Sequence, residues 1–372
     1  LRRHGFTPTV VERAPSIREG GYKVDIRGAA LDVIERMGLL EAVNAHSTDM
    51  RVATHYDSAG KAVAAMDAAL FGGREGADAE IMRGDLNELL YGLTRDHVEY
   101  IFGDSITGIA DDGLVTFENA PPRRFDLVVG ADGVHSNTRR IAFGDESQFV
   151  RDLGCYISIS TVPNTLGLNC EEAVHAAPGK TANVYSTRQD DAAKALFLWS
   201  SQPLSYDHRD TERQKDLLIE AMADMKWEVP ALLDGVRDAK DFYFDTVSQV
   251  HMDTWSKGRV VLVGDAAYCA SPASGQGTSL AIVGAYVLAG ELAKGDGTEG
   301  YEREMREFVR LNQELGPANL KGMVMPSRFA IWFQLRMLRL MPHMPGKDKM
   351  IERVTGAIRR AANAIELKNY SE

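Results

Sequence analysis

The chain has 372 residues, 44% of them hydrophobic, and a formal net charge of -11. That length can bury a sizeable core and suits two domains, while the acidic balance argues against nucleic acid or an anionic membrane as the main partner. The cysteines, Cys155, Cys170 and Cys269, are odd in number and widely spaced, so a reduced, cytoplasmic protein without a disulfide framework or metal site is expected.

Residues 1–5, "LRRHG", read as the last turn of a helix closed by glycine, and Thr7 to Glu12 as a strand stopped by Pro15. A helix-end-then-strand opening predicts roughly twenty to thirty further residues before Leu1, including a G-x-G-x-x-G loop. Residues 28–43 place Leu31, Ile34, Leu39 and Val43 near one helical face, and 83–93 form a shorter helix with Asp85 near its start. Several strands follow, ending at Asp132-Gly133. From about 154 to 250 the pattern is strand-rich, interrupted by one helix at 210–225, and after 278 it is mostly helical. No run approaches the ~18 apolar residues of a membrane span, so stable membrane insertion is not expected.

The fold class this implies is α/β. A Rossmann-like nucleotide-binding domain (1–55, 80–153 and 246–315) carries an inserted, mainly antiparallel substrate domain (56–79 and 154–245), with C-terminal helices over 316–372.

Three strand ends carry the chemistry. Glu12 closes an apolar strand, where an acid in a dinucleotide-binding unit bonds ribose hydroxyls; it also suits an ordinary solvated glutamate. "DLVVGADGVHSNTRR" (126–140) is a buried strand entering a glycine turn. There Asp132 and Gly133 could approach a pyrophosphate while Arg139 supplies charge, although a plain strand–turn–helix connection has the same pattern. "VVLVGDAAYCASPASGQGTSLA" (260–281) ends a strand on Asp265 and then places Gly275 and Gly277 before a helix. A carboxylate at a strand tip accepts bonds from a polyol, and glycines at a helix start let peptide N–H groups face an anion.

Order and spacing of these segments resemble the class A flavoprotein monooxygenases of the aromatic-hydroxylase type over nearly the whole chain. "GGYKVDIRG", "YISISTVPNTLGL", "DDFYFDTVSQV" and "GDAAYCASPASGQG" look like its tetracycline-inactivating branch. By that resemblance Glu12 and Arg13 hold the AMP half of FAD, Arg27 and Arg83 face the flavin, and Asp265 bonds the ribityl chain. Pro272, Gly275, Gln276 and Gly277 line the isoalloxazine. Tyr268 departs from the histidine that many members carry after "GDAA". The resemblance implies FAD as cofactor, NAD(P)H as co-substrate, dioxygen, and an aromatic or polycyclic phenolic substrate. No catalytic side chain is named, because the cofactor carries the hard chemistry.

Substrate is expected on the inserted sheet, against Tyr156, Phe197, Trp199 and Phe244, although alternation must send some of these into ordinary core. "FAIWFQLRMLRLMPHM" (329–344) reads as a helix packing its apolar side on the body, with Met341 and Met344 as adaptable filler. A membrane-surface helix is the alternative. His135, His251 and His343 form no metal constellation. A monomer or dimer is expected. Two other functions remain open on the residues: a flavoprotein of other chemistry, such as a reductase or halogenase, and a ligand-binding relative without flavin. "MKWEVP" (225–230) does not match the W-x-W-x-I-P signature of the halogenase type.

Overall fold

Alternating side chains on one long strand divide the molecule into its two working layers. The computed structural model describes residues 1–18, 20–74, 76–187, 192–341 and 344–370, and His343 lies outside them. The cofactor side holds two parallel pairs. Thr9–Glu12 runs beside Glu99–Phe102, and Val128–Gly130 runs beside Val260–Leu262, with Ser256–Lys257 at its edge. These are pieces of a parallel α/β sheet, and among the described residues they belong to separate ladders.

The inserted layer is a seven-stranded sheet. Its order is Tyr243–Val250, Val150–Val162, Ala193–Ser200, Lys180–Ser186, Glu171–Ala177, Val52–Tyr56 and Ala62–Asp67. Pairing is antiparallel except where Glu171–Ala177 meets Val52–Tyr56. The sheet therefore begins at Val52 rather than at residue 56.

One sheet face is covered by two helices, Thr211–Met222 and Val229–Asp238. Only the first was expected from sequence. Val229, Leu232, Leu233 and Val236 supply the helical spacing of the second and are all buried. Its internal Gly235 obscures the pattern but permits close approach, since a Cβ there would meet Val162 Cβ at 3.0 Å. Expected helix 28–43 is in fact two, Ala29–Arg36 and Leu40–Ala45. Gly38, at φ 75°, breaks it in a conformation that other residues resist. The 1–5 segment is a 3₁₀ turn closed by left-handed Gly5, as its glycine suggests.

Four helices complete the chain: Gly277–Lys294, Gly297–Met323, Arg328–Leu340 and Lys347–Ala362. The expectation that 329–344 packs its apolar side on the body needs correction. Ile331 is buried, but Phe329, Trp332 and Phe333 are 71%, 58% and 53% exposed. Met341 is half-buried, whereas Met344 is exposed rather than packed. No helix among the described residues is long and apolar enough to cross a membrane.

Candidate functional site

Adjacent parallel strands bring two of the expected loops together. Val128–Gly130 and Val260–Leu262 end side by side, and the Val263 N–H donates to the Gly130 carbonyl at 2.9 Å. Beyond each strand end the chain turns through a left-handed glycine, Gly133 (φ 82°) or Gly264 (φ 65°). Ligands in open α/β sheets gather at such carboxyl ends.

The two acids have different employment. Asp132 accepts from the Thr138 N–H at 2.8 Å and from the Ser136 hydroxyl, so it fixes the start of helix Asn137–Phe143. Asp265 is solvent-exposed at the floor of a cleft, with its Oδ1 3.8 Å from where a Cβ on Gly277 would stand. Surrounding protein raises its pKa by desolvation, opposed by a bond from the Cys269 thiol and by the charge of Arg83. Gly277 begins an 18-residue helix whose N-cap, Gln276, makes no side-chain capping bond. Its first N–H groups thus lie beside Asp265 with the positive end of the helix dipole.

Two arginines flank the cleft. Arg27 is 2% exposed; its guanidinium donates to Asp25 at 2.7 Å and to the carbonyls of Gly72 (2.6 Å) and Gly73 (3.2 Å). It also sits 3.6 Å from the Cβ position of Gly275, a left-handed residue with φ 65°. Arg83 is exposed, lies over the Tyr22 ring at 5.8 Å, and forms no ion pair with a described carboxylate. Tyr243, 36% exposed, stands 6.3 Å from Tyr22, ring to ring.

Among the described residues, loop 271–277 gathers several unpartnered polar atoms. Ser271 holds φ 78° without being glycine. Ser271 Oγ, both amide atoms of fully buried Gln276, and Arg27 Nε have no protein partner. An unpartnered buried polar group costs about 1–3 kcal/mol, so such a cluster calls for a polar ligand.

Comparison with known proteins names the ligand. A family model of FAD-binding domains matches residues 1–303. An uncharacterized protein of Mycobacterium tuberculosis is 49% identical over 87% of this chain and 89% of its own length. A flavin-dependent monooxygenase of Legionella longbeachae is 40% identical over 85% of this chain and 83% of its own. The chain belongs to this FAD-binding monooxygenase family. The solved tetracycline destructase Tet(55) has a TM-score of 0.83 at 35% identity, over 99% of this chain and 93% of that one.

The residues present fit FAD. A flavin has a polar pyrimidine edge that can meet the unpartnered groups of loop 271–277, and a ribityl chain that can donate to a carboxylate such as Asp265. Pro272, Gly275, Gln276 and Gly277 all lie on that loop or at its helix start. Glu12 ends its strand as expected, but its carboxylate accepts from the Ala14 N–H at 2.8 Å; Arg13 beside it is exposed.

Two expectations change. Arg139 supplies no charge to a ligand: it is fully buried and donates to the carbonyls of Ala266 (2.9 Å) and Val134 (2.6 Å). It thereby braces the Asp132 loop against the Asp265 loop. Tyr268 points away from the cleft into the core, 2.9 Å from the Tyr301 hydroxyl and packed on Trp255. Gly284 makes room for it, since a Cβ there would lie 2.0 Å from the Tyr268 hydroxyl.

The second concerns substrate. Tyr156, Phe197, Trp199 and Phe244 are 2%, 0%, 2% and 7% exposed, in one core with Leu218, Val229 and Val236 of the covering helices. They line the face turned away from the cofactor loops. The opposite face holds Ile157, Ile159, Leu198 and Val247, clustered with Tyr22 and with Ala273 of loop 271–277.

Sequence reasoning also missed a buried ion chain behind Arg27. Asp25 binds Arg27 and Arg74 (2.7 and 3.1 Å), Arg74 binds Glu80, and Lys23 binds Glu80 and Glu172 (3.5 and 2.7 Å). Burial opposes the Lys23 charge, but Glu172 and Glu80 outweigh it and raise its pKa. These partners come from separate segments, and only the "GGYKVDIRG" match drew attention to the region. Of the histidines, His135 bridges Asp245 (3.0 Å) and Glu146 (2.8 Å), and His251 lies 3.0 Å from Gln249 Oε1. No metal-ligand cluster occurs among the described residues.

Proposed function

We propose that the protein uses NAD(P)H and dioxygen to place one oxygen atom on an aromatic or polycyclic, phenolic or enolic substrate of the tetracycline type. The substrate would lie at the open rim where loop 271–277 and Tyr22 meet the inner sheet face, beside Tyr243. What carries this reading is the direct packing of Ile157, Ile159 and Leu198 with Ala273 and Tyr22, next to half-open Tyr243. Whole-length likeness to a tetracycline destructase, substrate sheet included, supports the substrate class.

Bound FAD supplies the electron transfer from nicotinamide to dioxygen; the chain positions and shields. Asp265 accepts from a sugar hydroxyl, and the uncapped start of helix Gly277–Lys294 favours negative charge beside it. Burial raises the pKa values of Tyr22 and Tyr243, so both phenols stay protonated and present neutral aromatic walls. The aliphatic patch excludes water, which protects a reactive oxygen donor from unproductive loss.

The test is mass spectrometry after aerobic turnover with FAD and NADPH or NADH, over a panel of monocyclic phenols and tetracyclines. Gain of one oxygen atom from isotopically labelled dioxygen by a tetracycline is the expected result. Brisk oxygenation of a simple phenol, with tetracyclines inert, would remove the polycyclic assignment. NAD(P)H oxidation without oxygen in any product would favour a reductase.

A further inference from the structure

We propose that the outer face of helix Arg328–Leu340 docks the protein on an anionic phospholipid surface. At 3.6 residues per turn, Arg328, Phe329, Trp332, Phe333, Arg336 and Arg339 fall within about 140° of arc. All six are exposed. Ile331, Leu335 and Leu338 occupy the opposite arc and are buried or half-buried, so the exposed aromatics are not spare core residues. The Phe329 ring lies 6.0 Å from Trp332 and 6.3 Å from Phe333, forming one continuous aromatic patch in solvent. Soluble monomers seldom leave such a cluster uncovered without a use for it.

Charge selects the occupant. The chain as a whole is at -11, yet from Leu315 to Gly346 there is no Asp or Glu, while Lys321, Arg328, Arg336 and Arg339 all lie there. None of the three helix arginines pairs with a carboxylate among the described residues. Screening confines the field that a surface feels to about 8–10 Å, so the local strip counts for more than the distant net charge. The charge-based expectation against anionic membranes is thus reversed at this one face. A second copy docked by twofold symmetry would set arginines against arginines. Anionic headgroups pair with them instead, while Trp332 and the phenylalanines enter the acyl boundary, as in helices that lie in the interface plane. Thirteen residues make a rod of about 20 Å, too short to span a bilayer.

The experiment uses the full chain loaded with FAD, sedimented with phosphatidylcholine vesicles with or without phosphatidylglycerol. Tryptophan emission is read in parallel. Binding only to the phosphatidylglycerol vesicles is expected, with a blue shift that Trp332→Ala abolishes and weakening at high salt. Exchanging Arg328, Arg336 and Arg339 for Gln should reduce partitioning by about fivefold each, on the order of a hundredfold together. Flavin content and melting temperature should not change, because these side chains are exposed. Absence of sedimentation, or equal sedimentation with neutral vesicles, overturns the proposal. A dimer in ultracentrifugation that Trp332→Ala dissociates would assign the face to a second copy instead.

Discussion

The two faces of the seven-stranded sheet are built from the same strands and do different work. Phe244 and Tyr243 are neighbours in sequence. Phe244 is 7% exposed among the rings of Tyr156, Trp199 and Tyr206, beneath two helices. Tyr243 is 36% exposed and opens toward Tyr22 on the cofactor side. A single step in strand parity therefore separates a residue buried in the fold from one left open on the face proposed to meet substrate. Aromatic content alone does not distinguish them; what covers each face does.

Removing bulk from the covered face is the strongest way to break this comparison. Trp199→Ala should lose about 3–5 kcal/mol of stability, seen as a large fall in melting temperature, with FAD affinity of the folded fraction unchanged. A stable variant with impaired turnover would move Trp199 to the substrate side. Next in size is Asp265→Ala. It should weaken FAD binding by about 1.5–3 kcal/mol, roughly ten- to 150-fold, through loss of a charged acceptor. Its melting temperature without FAD should hardly move, since Asp265 is exposed. Flavin titration with an unaltered dissociation constant would contradict the cleft assignment. Smaller still is Gly284→Ala, which forces a Cβ against the Tyr268 hydroxyl and should cost about 1–3 kcal/mol. The same change in a Tyr268→Phe background should cost clearly less. Equal costs in both backgrounds would mean that Tyr268 is not the residue packed there.

The smallest effect is a pH dependence where the faces meet the cofactor loops. His135 has its pKa raised to about 10, chiefly by its bond to Asp245 and next by Glu146. A folded-state value above the unfolded ~6.5 means full stabilisation below about pH 6.5. The contribution then shrinks as the pH rises toward 10. Its side chain is 39% exposed, so solvent screening keeps the gain modest. Melting curves across pH 6 to 10 should flatten in His135→Gln; an unchanged slope would remove the bridge from the account.

Much of this was legible in the sequence because it was local. Gly264-Asp265, Gly275 and Gly277 announce a strand tip and an open helix start within one short segment. The resemblance to FAD-dependent monooxygenases rested on those positions together with the strand ends at Glu12 and Asp132-Gly133. Less legible was anything decided at a distance. Helix Val229–Asp238 went unrecognised because Gly235 interrupts it, and without it nothing showed which sheet face was already covered. The aromatic residues expected to meet substrate accordingly turned out to lie on the face that this helix helps to cover. Arg139 looked like a ligand for phosphate, since its two carbonyl partners lie 5 and 127 residues away. The 329–344 helix was half legible: its periodicity shows a buried stripe, but the exposure of Trp332 depends on how narrowly it meets strand Ala62–Asp67.

The most direct test compares the neighbours themselves. Substrate affinity and melting temperature would be measured for Tyr243→Ala and Phe244→Leu, both loaded with FAD, using a tetracycline as titrant. The account predicts that Tyr243→Ala weakens tetracycline binding by about tenfold or more, the worth of ~1.4 kcal/mol, and melts close to the unaltered protein. Phe244→Leu should melt lower and bind tetracycline as before. The reverse pattern, with Phe244→Leu losing affinity at unchanged stability, would contradict the assignment of the two faces.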